Sequence, residues 1–141
     1  MIKTEIINIL EKMGLPVVYQ RQGMANVVLD TENYPTAVLY AISDWTLDLK
    51  RGYNCEEANI LLFLLDRSKL AEDGDYYDQI ILKMKQLALL FCDYVVQSSE
   101  IGFAEEQVRI KSIFDKFDNT MGGVMIDAKI KELRGKCLPV L

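Results

Sequence analysis

Residues 75–98, DYYDQIILKMKQLALLFCDYVVQS, form the longest uninterrupted helical pattern in the chain and contain neither glycine nor proline. From Tyr77 onward, apolar residues recur at Ile80, Ile81, Met84, Leu87, Ala88, Phe91, Tyr94 and Val95, the three-and-four spacing of one helix face. Gln79, Lys83, Lys85, Gln86 and Asp93 fall between them. At about 1.5 Å per residue the helix spans roughly 36 Å, enough to cross the face of a small sheet. Asp73 or Asp75 supplies an N-cap, and Asp78 places negative charge in the first turn.

The segments on either side are the surfaces such a helix needs. Ile2–Met13 sets Ile2, Ile6, Ile9, Leu10 and Met13 on one face, with Gly14 placed just past the helix end. Leu15-Pro16 forces an extended conformation. VVYQR and MANVVLD, around Gln22-Gly23, then predict a β-hairpin. After TENYP, residues Thr36–Lys50 read as one long β-type stretch. Its first half, Ala37–Ile42, is apolar on both faces and so predicts cover on both, by helices on one and by something such as a second subunit on the other. Its second half alternates Trp45, Leu47 and Leu49 with Asp44, Thr46, Asp48 and Lys50, a strand with one wet face. At Ser43-Asp44, where the pattern changes, the strand either bends through a bulge or simply emerges into solvent.

Lys50–Glu57 reads as a polar connection, and Ala58–Asp66 as a buried strand antiparallel to the preceding one. Arg67–Gly74 is a second polar break. Beyond the long helix, Glu100–Gln107 is a connection with room for a short strand. Lys111–Phe117 is a strand, DNTMGG at 118–123 a turn, and Val124, Ile126, Ala128 and Ile130 alternate with Met125, Asp127, Lys129 and Lys131 as the clearest amphipathic strand. Arg134-Gly135 and Pro139 then end regular structure. The order predicts an α+β fold: a mostly antiparallel sheet packed on one face by a short N-terminal helix and a long central one. At 141 residues, one domain spanning 1–141 is expected.

Composition narrows the chemistry. There are 16 Lys plus Arg against 21 Asp plus Glu, a net charge of −5 that disfavours broad attraction to nucleic-acid phosphates. No apolar run approaches the roughly 20 residues of a membrane span, and the N-terminus does not read as a secretory signal, so a cytoplasmic protein is expected. The three cysteines, Cys55, Cys92 and Cys137, have the spacing of neither a disulfide framework nor a zinc site. The absence of histidine excludes histidine triads and histidine metal ligands for one chain acting alone. Gly122-Gly123 lacks the lysine and following helix of a phosphate loop and reads as turn chemistry. The acidic residues Glu72, Asp73, Asp75 and Asp78 lack calcium-loop spacing and suit a helix N-terminus. Asp115 with Asp118, or Asp44 with Asp48, would be the carboxylate pairs available for acid/base work, but they read as solvated strand or turn residues. No catalytic, cofactor-binding or metal-binding residue is assigned and no cofactor is expected. Among the aromatic residues Trp45, Tyr34, Tyr40 and Tyr53, core positions are expected for Tyr40 and Trp45.

In this order, the N-terminal helix before a proline-introduced hairpin, the strand pair ending in ILLFLLDRS, the helix YYDQIILKMKQLALLFCDYV and the closing FDKFDNTMGGVMIDAKIKEL together resemble the small tail-terminator and tail-completion proteins of tailed bacteriophages. The resemblance covers nearly the whole chain and includes no catalytic motif. It implies a non-enzymatic virion structural protein at the neck–tail junction, a homo-oligomeric ring, commonly a hexamer, that contacts other neck and tail-tube proteins. The two polar connections are then the expected subunit or partner loops, through Lys50, Arg51 and Tyr53 in the first and Arg67, Lys69 and Asp73 in the second. A different reading is a small cytoplasmic ligand-binding protein or enzyme with a pocket between sheet and long helix, lined by Tyr40, Trp45 and Phe63.

Overall fold

The computed structural model describes residues 1–20, 35–42, 44–50, 53–67, 74–114, 121–133 and 136–137. Within them the order is α1 (Ile2–Lys12), β1 (Val17–Gln20), β2 (Thr36–Tyr40), β3 (Trp45–Lys50), β4 (Tyr53–Arg67), α2 (Gly74–Gln97), β5 (Ile101–Phe103), β6 (Arg109–Phe114), β7 (Met121–Glu132) and β8 (Lys136–Cys137). The fold is α+β: one mostly antiparallel sheet with both helices packed on the same face.

β4 is the spine. It pairs antiparallel with β2 and β3 along one edge and with β7 and β8 along the other, while β7 pairs outward with β5 and β6. The exception to antiparallel pairing is β1, which lies parallel to β2. It is tied there by the Ala37 N–H to the Pro16 carbonyl at 2.9 Å and by the buried Thr36 hydroxyl donating to the same oxygen at 3.1 Å. The second run of the expected hairpin, MANVVLD, lies outside the described residues.

The helical periodicity of 75–98 is realised as read. Ile80, Met84, Ala88, Phe91 and Val95 are buried, and Ile81, Leu87 and Tyr94 partly so. They pack with Ile2, Ile6, Ile9 and Leu10 of α1 against Leu39, Ile60, Leu62, Leu64, Val124, Ile126 and Ile130 of the sheet. Each such fully buried aliphatic or aromatic side chain stabilises the fold by about 1.5–3 kcal/mol. α1 stops where glycine allows it to. Gly14 takes φ 77°, its N–H donates to the Glu11 carbonyl at 2.9 Å, and the Leu15 N–H reaches the Leu10 carbonyl at 3.1 Å. That closing pattern satisfies two carbonyls which would otherwise lack partners, and it seats Leu15 in the core beside Leu10.

Three departures from the sequence reading have definite causes. Thr36–Lys50 is two strands rather than one: Leu39 pairs with Leu62 and Trp45 with Ala58, so five residues stand against three on β4 and the chain bends between them. Second, the doubly apolar β2 is wholly buried within a single chain. Ala37 and Leu39 face the helices, while Val38 and Tyr40 join Phe63 and Leu65 in a small core on the opposite face, so this burial does not call for a second subunit. Third, Gly122-Gly123 is not a turn but the start of β7, opposite Asp66 and Leu65. A Cβ at Gly123 would overlap the carbonyl oxygen of Leu64, so glycine here permits a close backbone approach between the two longest strands.

Candidate functional site

The most unusual surface grows out of strand length. Fifteen residues of β4 extend over about 50 Å at ~3.3 Å per residue. The 24 residues of α2 reach only about 36 Å at ~1.5 Å each. The first part of β4, with β3 on one edge and the short β8 on the other, therefore projects past the helices as an arm. Because Trp45 pairs with Ala58, Leu47 with Glu56 and Leu49 with Asn54, the three apolar side chains of β3 stand on the helix-side face of the sheet. There Leu47 and Leu49 meet polar partners, Glu56 and Asn54, and Trp45 meets Ala58. They are 52%, 51% and 65% exposed, and the neighbouring Leu133 is 47% exposed.

The base of the arm is held by a buried carboxylate. Lys131 pairs with Glu57 but Lys136 with Asn54, so the pairing register along β4 shifts between the end of β7 and β8. Glu132 occupies that irregularity with 6% exposure. Its Oε1 accepts the Glu56 N–H at 2.9 Å, and its Oε2 lies 3.7 Å from the Met1 amino group. A side chain thus supplies the acceptor for the Glu56 N–H where the register shifts, and it joins Met1, at the start of α1, to β4. The adjoining Leu133 N–H donates to the Glu100 carbonyl at 2.9 Å. A surface hollow of about 550 Å³ lies along this base, with Leu47, Asp48, Cys55, Glu56, Glu132 and Leu133 among its lining residues.

A second apolar strip runs along the solvent face of α2, where Leu82, Leu89 and Val96, seven residues apart, are 58%, 56% and 71% exposed, with Leu90 beside them. Other surface features are ionic. Lys83 Nζ meets Asp66 Oδ2 at 3.0 Å, linking α2 to the far end of β4, and the Lys3 ammonium sits 4.2 Å from the centre of the Tyr19 ring.

The expected contact residues divide. Lys50 and Tyr53 are not in a loop: they are a cross-strand pair at the tip of the arm, because strand pairing extends through Asn54–Glu57, which looked like a polar connection. Arg67 is the last residue of β4, paired with Met121 at the opposite end of that strand. Arg51, Lys69 and Asp73 lie outside the described residues. Trp45, expected in the core, is half exposed, because its cross-strand neighbour Ala58 is at the rim of the helix-covered region. Tyr40 and Phe63 are buried with ring centroids 4.8 Å apart, on the face away from the helices. The three aromatics of the proposed sheet–helix pocket therefore lie on opposite faces of the sheet, and Met84 and Phe91 are buried in the core between sheet and helices.

The remaining chemistry is sparse. Among the described residues no group of three His, Cys, Asp or Glu side chains is placed to hold a metal ion. Asp44, Asp48 and Asp78 are exposed, whereas Asp115 and Asp118 lie outside the described residues. Burial pushes the Cys92 thiol above its ordinary pKa, the opposite of what activates a nucleophile, and does the same to the Tyr40 phenol. No helix among the described residues is long and apolar enough to cross a membrane. No protein-family model matches the chain, and no curated protein sequence matches it.

The sequence shows the apolar residues of the arm but places Trp45 in the core and Leu47 and Leu49 on the dry side of a half-wet strand. The signal that corrects this is the partner strand: pairing WTLDLK with YNCEEA places Glu56 and Asn54 beside Leu47 and Leu49. The strip on α2 had a signal too, since Leu82, Leu89, Leu90 and Val96 fall outside the periodic face.

Proposed function

We propose that this chain is a structural assembly subunit, and specifically a non-enzymatic ring-forming protein of the kind that caps the tail tube of tailed bacteriophages, as the resemblance of its helix, strand and closing segments implies. The observation that supports assembly is the arm, where Trp45, Leu47 and Leu49 form an apolar stripe on a strand that the chain's own helices do not reach. Isolated exposed leucines are ordinary, but a row on a projecting strand is the form a subunit contact takes. The sheet supplies rigidity and the arm supplies reach. In a virion, such a subunit would meet further copies of itself and the neck and tail-tube proteins beside it.

Size-exclusion chromatography with light scattering, followed by electron microscopy of the purified protein, tests this. The expected result is a mass that is a multiple of the 16.1 kDa chain and ring-shaped particles. A stable monomer whose melting temperature rises with a small ligand would overturn the reading.

A further inference from the structure

Resting on the assembly reading, we propose that the apolar stripe of the arm receives the solvent-facing strip of α2 from a second copy of this chain, a contact between two unlike surfaces. The distribution of apolar surface carries this. Among the described residues, every exposed large apolar side chain belongs to one of two groups: the stripe of β3, with Met1 and Leu133 at its base, or the strip along α2. Each group lacks what the other supplies. The arm turns Trp45, Leu47 and Leu49 towards the layer in which the helices lie, yet no described helix of the same chain covers them. α2 packs one face on its own sheet through Met84, Ala88 and Phe91 and carries Leu82, Leu89 and Val96 away from it. A neighbour's α2 laid over the arm extends the helix layer across the uncovered part of the sheet, so that each apolar face gains the partner that a sheet and a helix require. The lengths agree. From Leu82 to Val96 the strip runs about 21 Å at ~1.5 Å per residue, and the six residues of β3 run about 20 Å at ~3.3 Å per residue.

The charges beside the two surfaces are complementary. Glu56 is the cross-strand partner of Leu47, on the stripe's own face, and is half-buried. Lys85 is exposed, three residues past Leu82 and four short of Leu89, and so stands on the strip's side of the helix. Neither has an ion-pair partner among the described residues. With Leu47 seated between Leu82 and Leu89, Glu56 comes beside Lys85. The acidic residue of the strip, Asp93, to which Gln97 donates a hydrogen bond at 3.0 Å, stays about 12 Å further along the helix. Because arm and strip differ, the contact is heterologous, and repetition of it alone builds a ring when the rotation between neighbours closes.

The test uses two variants of the full chain, Leu47→Asp and Leu89→Asp. Both positions are more than half exposed, so each variant is expected to fold, which circular dichroism checks. By light scattering, each alone should assemble only at roughly tenfold higher concentration than wild type, or not at all. Their mixture should form a dimer, because the intact arm of the Leu89→Asp chain meets the intact strip of the Leu47→Asp chain. Glu56→Lys and Lys85→Glu should each weaken assembly, and a chain carrying both should recover it. A second measurement leaves most of both surfaces in place. With Cys55, Cys92 and Cys137 replaced by alanine, Leu47→Cys and Leu89→Cys chains mixed with a short thiol-specific cross-linker should link about tenfold faster than either alone. If either aspartate variant assembles as wild type does, the contact is arm on arm or helix on helix, and this inference is overturned while the assembly reading stands. A mixture of the two that stays monomeric, or equal cross-linking rates, would overturn it in the same way. A wild-type chain that stays monomeric at every concentration would overturn both.

Discussion

One strand lives in two environments. From Ala58 to Leu65, β4 has α1 and α2 over one face and a small apolar core on the other, with Ala58, Ile60, Leu62, Phe63, Leu64 and Leu65 all buried. From Asn54 to Glu57 the same strand, in unbroken register with β3, is only half buried. Hydrogen-bonded pairing therefore continues well past the point where burial stops. The ladder gives the arm its shape, whereas the free energy that holds the chain folded comes from the covered half. A surface can be structurally ordered and energetically dispensable at once, which is the condition under which a protein can offer it to a partner.

Substitutions should separate the two regions sharply. The largest effect is expected at Phe91, among the largest fully buried side chains. Phe91→Asp removes its contacts and buries a carboxylate without a partner, at a cost of more than about 4 kcal/mol. Circular dichroism should show an unfolded or aggregated chain, and a soluble variant melting normally would mean that α2 does not cover the sheet. Gly123→Ala should be next, at roughly 1–3 kcal/mol, because the added methyl group must displace the β4 backbone at Leu64. A denaturation midpoint equal to that of wild type would contradict the close approach of β7 to β4.

Alkali provides a smaller effect, confined to the covered half. The folded chain holds the Cys92 proton more tightly than the unfolded chain does, because burial raises the thiol pKa. Stability from this source is intact below the ordinary thiol pKa and falls as pH rises through it towards the folded value. Urea midpoints measured across that window should decline less in Cys92→Ala than in wild type. The smallest effect belongs to the arm. Measured on dilute protein, Leu47→Asp should change unfolding free energy by no more than about 0.5 kcal/mol, since the leucine is already 51% exposed. A large loss would show that the arm is part of the folding core.

Local periodicity carried most of this fold. The residues of α2 that touch the sheet were identifiable because three-and-four spacing has one physical use, and Val124, Ile126, Ala128 and Ile130 because period-two alternation has another. Gly14 announced the end of α1, since an L-residue is strained at its φ of 77°. Tertiary structure alone decided the rest. Pattern shows which face of a strand is apolar but not whether a helix reaches far enough to cover it, and so WTLDLK read as a half-buried strand although its apolar side stands in the open. Gly122-Gly123 read as a turn because its use, an approach to Leu64, depends on a strand more than fifty residues earlier in the chain. Sequence determined the elements and their inward faces, for these depend on neighbours three or four residues away. The extent of cover over β4, and hence the apolar surface left exposed, depends on the relative lengths of elements that meet only in the folded chain.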